Sequence, residues 1–194
     1  MWSSLQKKEA RAYALSLRKN KDKHLLENYL VEEIIKSDVL AKYNHIGIYY
    51  PIGDEMSVLR LLSYYPGKSF YLPITKDNLS FIEYKLNDEL YDGPFHTKEP
   101  KGHIIDRDLI ECFIIPCVAI SKDNKRLGYG KGYYDKYLAG YKGLKIGVSY
   151  KEALLDIEME SFDLSLDLVF VGWSYGKCSS SYGWKRNKNG IWKK

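Results

Sequence analysis

Residues 111–138 read "ECFIIPCVAISKDNKRLGYGKGYYDKYL", three signals in succession. The apolar run "FIIPCVAI" has the length and composition of a strand buried on both faces. The polar turn "SKDNK" ends it. Then comes "RLGYGKGYYD" (126–135), with glycines on alternate positions, leading into the helix-compatible "GYYDKYLAGY". A buried strand feeding a glycine loop and then a helix is a unit of an α/β sheet.

The rest of the chain repeats that alternation. "SSLQKKEARAYALSLRKN" is rich in Ala, Leu, Lys and Arg behind a Ser cap, which predicts a first helix. In "HLLENYLVEEIIKSDVLAKY", Leu26, Leu30, Ile34 and Ile35 recur at helical spacing with charges between. Short apolar runs at 45–51, 69–74, 79–85, 111–120, 145–150 and 167–172 read as strands, with the helix-compatible "SVLRLLSYY" among them. The fold class expected is α/β: an open, largely parallel sheet with helices on both faces, three-layered and Rossmann-like. Ligand sites in such sheets lie beyond the carboxyl ends of the strands. "LNDELYDGPFHTKEPKGHIID" (86–106) has neither period, and long loops of this kind are often functional.

With 194 residues, 45% of them hydrophobic, one core and one domain are expected. No run of about 18 apolar residues occurs, and the N-terminus lacks the apolar core of a signal peptide, so a cytoplasmic location is expected. Cys112, Cys117 and Cys178 have no metal-binding spacing and read as free thiols. The net charge of +5 sits in the tail: 172–194 carry six basic residues and no acid, leaving 24 bases against 25 acids before them. The expected division is one domain over 1–171 and a basic extension over 172–194 that holds Trp173, Trp184 and Trp192. Aromatics among bases can bind single-stranded nucleic acid, though a terminal extension accounts for them more simply.

In the glycine loop, positive φ and converging N–H groups ahead of a helix make an anion cradle. A phosphate is the expected ligand, with Lys131 and Arg126 as counter-charges and Asp135 placed for magnesium. The pattern is neither a GxxxxGK[ST] loop nor GxGxxG with its distant acid. A purely steric need for glycine explains the pattern equally well.

"RLGYGKGYYDKYL" resembles the signature of the 5-formyltetrahydrofolate cyclo-ligase (methenyltetrahydrofolate synthetase) family, and "IIPCVAI" resembles the strand before it. "KKEAR", "IYYPIGDEMSV", "YLPI", "LSFIEY", "LYDGPFHTKEP", "KIGVSY" and "FDLSLDLVFV" resemble further segments in the same order, over roughly residues 5–171. The chain departs from the family pattern in three places. No glutamine follows "KIGVSY", Ile120 stands where an aromatic is usual, and the basic tail has no counterpart.

The resemblance implies ATP-dependent cyclisation of 5-formyltetrahydrofolate to 5,10-methenyltetrahydrofolate. It gives Lys7 and Arg11 to the ATP phosphates, together with a loop of Arg126, Leu127, Gly128, Tyr129, Gly130, Lys131, Gly132, Tyr133 and Tyr134 around the triphosphate. Arg126 and Lys131 would be catalytic, and Asp135 and Asp163 would hold Mg²⁺. Glu55 would accept hydrogen bonds from the pterin, Tyr50 would line its pocket, and residues 129–133 would touch both ligands. The implied partners are ATP and 5-formyltetrahydrofolate, with or without a polyglutamate tail, and neither membrane nor nucleic acid; the chain would be a monomer or weak dimer. Two rivals stand beside this reading: a nucleic-acid-binding module built on the tail, and a different ATP-dependent ligase with the same loop. Glu55 also reads as a helix-start acid and Asp163 as a turn cap. His24, His45, His96 and His103 are scattered and receive no role.

Overall fold

In the computed structural model, which describes residues 4–173 and the backbone of 185–186 and 192–193, both expected N-terminal helices form, although the first starts behind Gln6 with no side-chain cap and not behind a Ser cap. Helix α1 spans Lys7–Ser16 and buries Ala10 and Ala14. Helix α2 spans Lys23–Lys36, buries Leu26, Leu30, Val31 and Ile34, and is capped by Asp22, whose carboxylate accepts from Leu25 N–H at 3.1 Å.

The remaining elements follow in chain order. They are β1 (His45–Gly47), α3 (Arg60–Tyr64), β2 (Ser69–Thr75), β3 (Leu79–Tyr84), β4 (Tyr91–Asp92), β5 (Lys98–Glu99) and β6 (Ile104–Ile105). Then come β7 (Cys112–Pro116), β8 (Ala119–Ser121), β9 (Arg126–Leu127), α4 (Tyr133–Tyr137), β10 (Leu144–Tyr150), β11 (Leu154–Leu155) and β12 (Leu168–Gly172). The main sheet has seven strands in the order β12-β10-β7-β1-β2-β3-β6. β12, β10, β7, β1 and β2 run parallel, and β3 and β6 add antiparallel strands at one edge. Counted among themselves, the parallel strands take the doubly wound order 2-1-3-4-5, which reverses beside β1 and opens a crevice past the ends of β1 and β7.

Alternating side chains divide the core between the two faces of this sheet. Ile46, Phe70, Leu72, Ile114, Val148 and Phe170 pack with Ala10, Ala14, Leu30, Ile34 and Leu61 from α1, α2 and α3. Tyr71, Phe113, Ile115, Val169 and Val171 pack on the other side with Tyr134, Leu138 and Tyr141. Helices thus cover both faces, although α4 is a five-residue helix and 156–167 complete its layer with little regular structure.

The run 111–120 is two strands rather than one. Pro116 has no N–H to continue the ladder. The chain leaves the main sheet after it, and β8 joins β9 antiparallel and β11 parallel in a small second sheet. The glycine loop therefore follows the return arm of a hairpin, β9, and not the buried strand itself. Gly172 closes β12, and Trp173 packs edge-on against Tyr29 at 6.0 Å, so the chain stays on the domain through 173. The expected separate extension falls almost wholly outside the described residues; of those described in it, 185–186 pair antiparallel with 192–193. Among the described residues no helix is long and apolar enough to cross a membrane.

Candidate active site

The glycine loop has an inner and an outer side. On the inner side Arg126 is only 7% exposed; its Nε donates to the Pro116 carbonyl at 2.9 Å, its Nη1 lies 3.8 Å from Asp135 Oδ2, and its guanidinium covers the Tyr134 ring at 4.7 Å. A Cβ on Gly128 would stand 2.4 Å from that guanidinium, so the first glycine makes room for a side chain of the protein itself. Leu127 and Tyr134 are buried as well. On the outer side Tyr129, Gly130 and Lys131 are exposed. Gly130 has φ +101° and Gly132 φ +68°, conformations that disfavour any side chain. Space is open above both: the nearest atoms to an added Cβ are Arg11 at 3.5 Å and Lys136 at 3.9 Å.

The other expected triphosphate residues gather around this outer face. Lys7 and Arg11 stand one turn apart on α1. Arg11 Nε donates to the Gly128 carbonyl at 2.8 Å, which docks the helix on the loop. Lys7 pairs with Asp163 at 2.7 Å and with Glu160; burial opposes its charge, but the bonds to these two acids outweigh burial and raise its pKa. Asp135 Oδ1 accepts from the backbone N–H of Leu164 at 3.1 Å, so the two expected metal ligands lie on segments held together. Two carboxylates suit a hard cation that keeps water and phosphate oxygens as its remaining ligands. Among the described residues no three His, Cys, Asp or Glu side chains form a closed metal site. Lys131 forms no ion pair among the described residues; its Nζ sits 5.5 Å from the Phe95 ring.

Glu55 lies in the crevice that the strand order opens. It is 5% exposed, and its Oε2 accepts from Ile52 N–H at 2.9 Å. Burial raises its pKa, while the Ile52 bond and the charges of Arg18, Arg126 and Lys23 pull it back down. The pocket it lines also receives Arg18, from just after α1, and Tyr49, Pro116, Cys117, Ser149 and Tyr150, from the ends of β1, β7 and β10. Tyr50 is half-buried beside the α2 side of the core.

Two residues missed in the sequence join these regions. Arg18 lines the Glu55 pocket and its Nη1 donates to the Tyr129 hydroxyl at 3.3 Å. A signal existed: Lys7, Arg11 and Arg18 are spaced four and seven residues apart, the spacing of one helical stripe, although α1 ends at Ser16 and Arg18 lies just beyond it. Phe95 comes from the long 86–106 segment, where β4 and β5 form a hairpin. Its ring is 52% exposed and 6.3 Å from Tyr133. No periodicity announces it. The segment is anchored by Glu99, which accepts from Thr75 N–H at 2.9 Å and Thr75 Oγ1 at 2.6 Å.

The position of Arg126 predicts a stability effect. Arg126→Ala removes the donor from the buried Pro116 carbonyl and the body beneath Gly128, at a cost of about 1–3 kcal/mol for the unpaired group. Thermal unfolding should fall by about 2–4 °C per kcal/mol for a chain of this size. An unchanged midpoint would mean that the loop does not rest on this side chain.

Comparison with known proteins was made against this geometry. The model of the 5-formyltetrahydrofolate cyclo-ligase family matches residues 5–172. A 5-formyltetrahydrofolate cyclo-ligase of Mycoplasma genitalium is 27% identical over 173 residues, covering 80% of this chain and 92% of its own. Another, of Mycoplasma pneumoniae, is 33% identical over 131 residues, 64% of this chain and 70% of its own. Among solved structures, the 5,10-methenyltetrahydrofolate synthetase of Aquifex aeolicus superimposes with a TM-score of 0.73 at 26% identity, covering 91% of this chain and 97% of that one.

Proposed function

The chain belongs to the 5-formyltetrahydrofolate cyclo-ligase family, and from that premise we propose how its own residues divide the work of a 5-formyltetrahydrofolate cyclo-ligase. The reaction is the ATP-dependent closure of 5-formyltetrahydrofolate to 5,10-methenyltetrahydrofolate. A formamide oxygen is a poor leaving group; it is activated by taking the γ-phosphoryl of ATP, after which nitrogen 10 attacks the formyl carbon and phosphate departs. Such chemistry asks for positioning and charge neutralisation rather than a covalent nucleophile.

In this reading the triphosphate lies over Gly130–Gly132, on the open outer face of the loop. Lys131, with no acid partner, meets its charge directly. Lys7 turns from Asp163 towards the phosphates, Arg11 fixes the loop, and Arg126 supports it from beneath; the short α4 adds only its first-turn N–H groups. Leu127, Gly128 and Tyr134 shape the loop from within, while Tyr129 and Tyr133 border the nucleotide and folate. Asp135 and Asp163 would hold Mg²⁺, which would supply charge neutralisation for the triphosphate. Glu55 accepts from the 2-amino group and N3–H of the pterin, an ionised acceptor for two donors, and Tyr50 lines the entrance. The folate is taken with or without a polyglutamate tail by a monomer or weak dimer in the cytoplasm, whose catalytic domain is residues 1–171 with 172–194 appended.

The observation that carries this reading is the junction of the Glu55 pocket with the glycine loop. A buried carboxylate at the reversal of the sheet and an open glycine loop with a free cation meet at the Arg18–Tyr129 hydrogen bond. The experiment is Lys131→Ala. It should cost kcat/KM about 1.5–3 kcal/mol, the range for a hydrogen bond to a charged group, or roughly ten- to 150-fold. Unchanged kcat/KM would return Lys131 to the solvated surface.

A further inference from the structure

Arg18 is a cation that the fold has gone to some expense to bury. Its residue is 5% exposed, directly after α1. Nη2 donates to the carbonyls of Cys117 at 3.0 Å and Val118 at 3.4 Å, Nη1 donates to Tyr129, and the guanidinium lies 5.4 Å from the Tyr150 ring centroid. Among the described residues no carboxylate comes within ion-pairing distance of it. Its Nε–H has no hydrogen-bond partner among the described residues. A buried charge held by neutral groups, with one donor left over, is costly unless something completes it.

The unfilled donor belongs to a side chain that lines the same pocket as Glu55. The lining of this pocket thus includes both an acceptor, Glu55, and a side chain with a spare donor, Arg18. On the pyrimidinone edge of a pterin, the 2-amino group and N3–H are donors, and the next group round the ring, the C4 carbonyl, is an acceptor. A carboxylate alone reads the two donors and is indifferent to the third position. A carboxylate with a guanidinium beside it reads all three.

We propose that Arg18 donates a hydrogen bond to the C4 carbonyl of the pterin while Glu55 accepts from N3–H and the 2-amino group, so that the pair selects a 4-oxo pterin. This rests on the placement of the folate at Glu55 given above. Arg18 is then a substrate-binding residue with a second effect. The charged and titratable groups facing Glu55 are Arg18, Arg126 and Lys23, with Tyr49, Cys117, Tyr129 and Tyr134. Arg18 alone of the cations lines its pocket, where its charge opposes the burial that raises the pKa of Glu55.

The test is titration of 5-formyltetrahydrofolate and of ATP, separately, into the full chain and its Arg18→Met and Arg18→Lys variants across a range of pH. Met keeps the apolar stem, and Ser149 Oγ, 3.0 Å from the Cys117 carbonyl, still donates there. Arg18→Met should weaken folate binding at least tenfold, leave ATP affinity within twofold, and move the acid limb of folate binding to higher pH, because Glu55 loses its neighbouring cation. Arg18→Lys should return the acid limb towards its wild-type position without restoring full affinity. Folate affinity within twofold of wild type, equal losses for both ligands, or an unmoved acid limb in Arg18→Met would each overturn the proposal. Glu55→Gln, titrated alongside, separates the two levels: if it too leaves folate affinity intact, the placement of the folate has failed, and if it alone loses folate, only the role of Arg18 has.

Discussion

Gly132→Val should lose ATP binding by at least a hundredfold while the protein stays folded. Gly132 sits at φ +68° and ψ 15° at the start of α4, a conformation that a β-branched residue adopts only at a cost of about 1–3 kcal/mol. Among the described residues beyond its chain neighbours, nothing comes nearer to the added Cβ than Lys136 at 3.9 Å, so the Cβ itself meets no clash. What the valine fills is the space proposed for the triphosphate. Gly132→Ala isolates the backbone strain, because its single methyl projects less into that space, and should keep most of the affinity. Calorimetric titration of ATP with a thermal melt of each variant is the check. A folded Gly132→Val that binds ATP as wild type does would show that the open face of the loop is not the nucleotide site, leaving its glycines a purely steric role.

Glu55→Gln should weaken 5-formyltetrahydrofolate at least tenfold and leave ATP unchanged, while making the folded protein more stable. The first effect arises because an amide turns a donor towards the pterin's own donors, and a buried group left unpaired costs about 1–3 kcal/mol. The second follows from linkage. Burial lifts the folded pKa of Glu55 above its unfolded value, so the folded state holds a proton more tightly. Stability tied to this group is then present at low pH and lost as pH rises from the unfolded value through the folded one. Glutamine is neutral throughout and still offers an oxygen to Ile52 N–H, so at neutral pH the variant should melt higher than wild type, with the gain vanishing in acid. A variant that binds folate normally would make Glu55 a helix-start acid. One that melts lower at neutral pH would mean that the carboxylate contributes packing or bonds beyond the one to Ile52.

The helices of the N-terminal half and six of the seven main-sheet strands were legible because burial writes a pattern into the sequence, whereas the two-residue β6 was too short to leave one. Leu26, Leu30 and Ile34 mark α2 in this way. The break inside 111–120 was harder, since Cys117, Val118, Ala119 and Ile120 remain fully apolar after the chain leaves the main sheet; only Pro116 marks the departure. Strand order left no trace in one chain, because neighbours in a parallel sheet share no local signal. In the site, residue types were legible and directions were not. An arginine beside a glycine loop reads as a counter-charge to a ligand, yet Arg126 turns inward to Pro116 and its guanidinium fills the space that a Cβ on Gly128 would take. Arg18 was overlooked because its function depends on β7 and β10 arriving beside it, about a hundred residues later in the chain. The departure at Ile120 has a physical setting: it is buried in the second core, where an aliphatic side chain fills the space.

The most direct test of the whole account is the absorbance of the methenyl product when the protein is mixed with 5-formyltetrahydrofolate, ATP and Mg²⁺. The account predicts that product accumulates with one ADP and one phosphate released per molecule formed, and that omission of ATP abolishes it. Release of ADP without methenyl product, from a protein that binds both ligands, would contradict it.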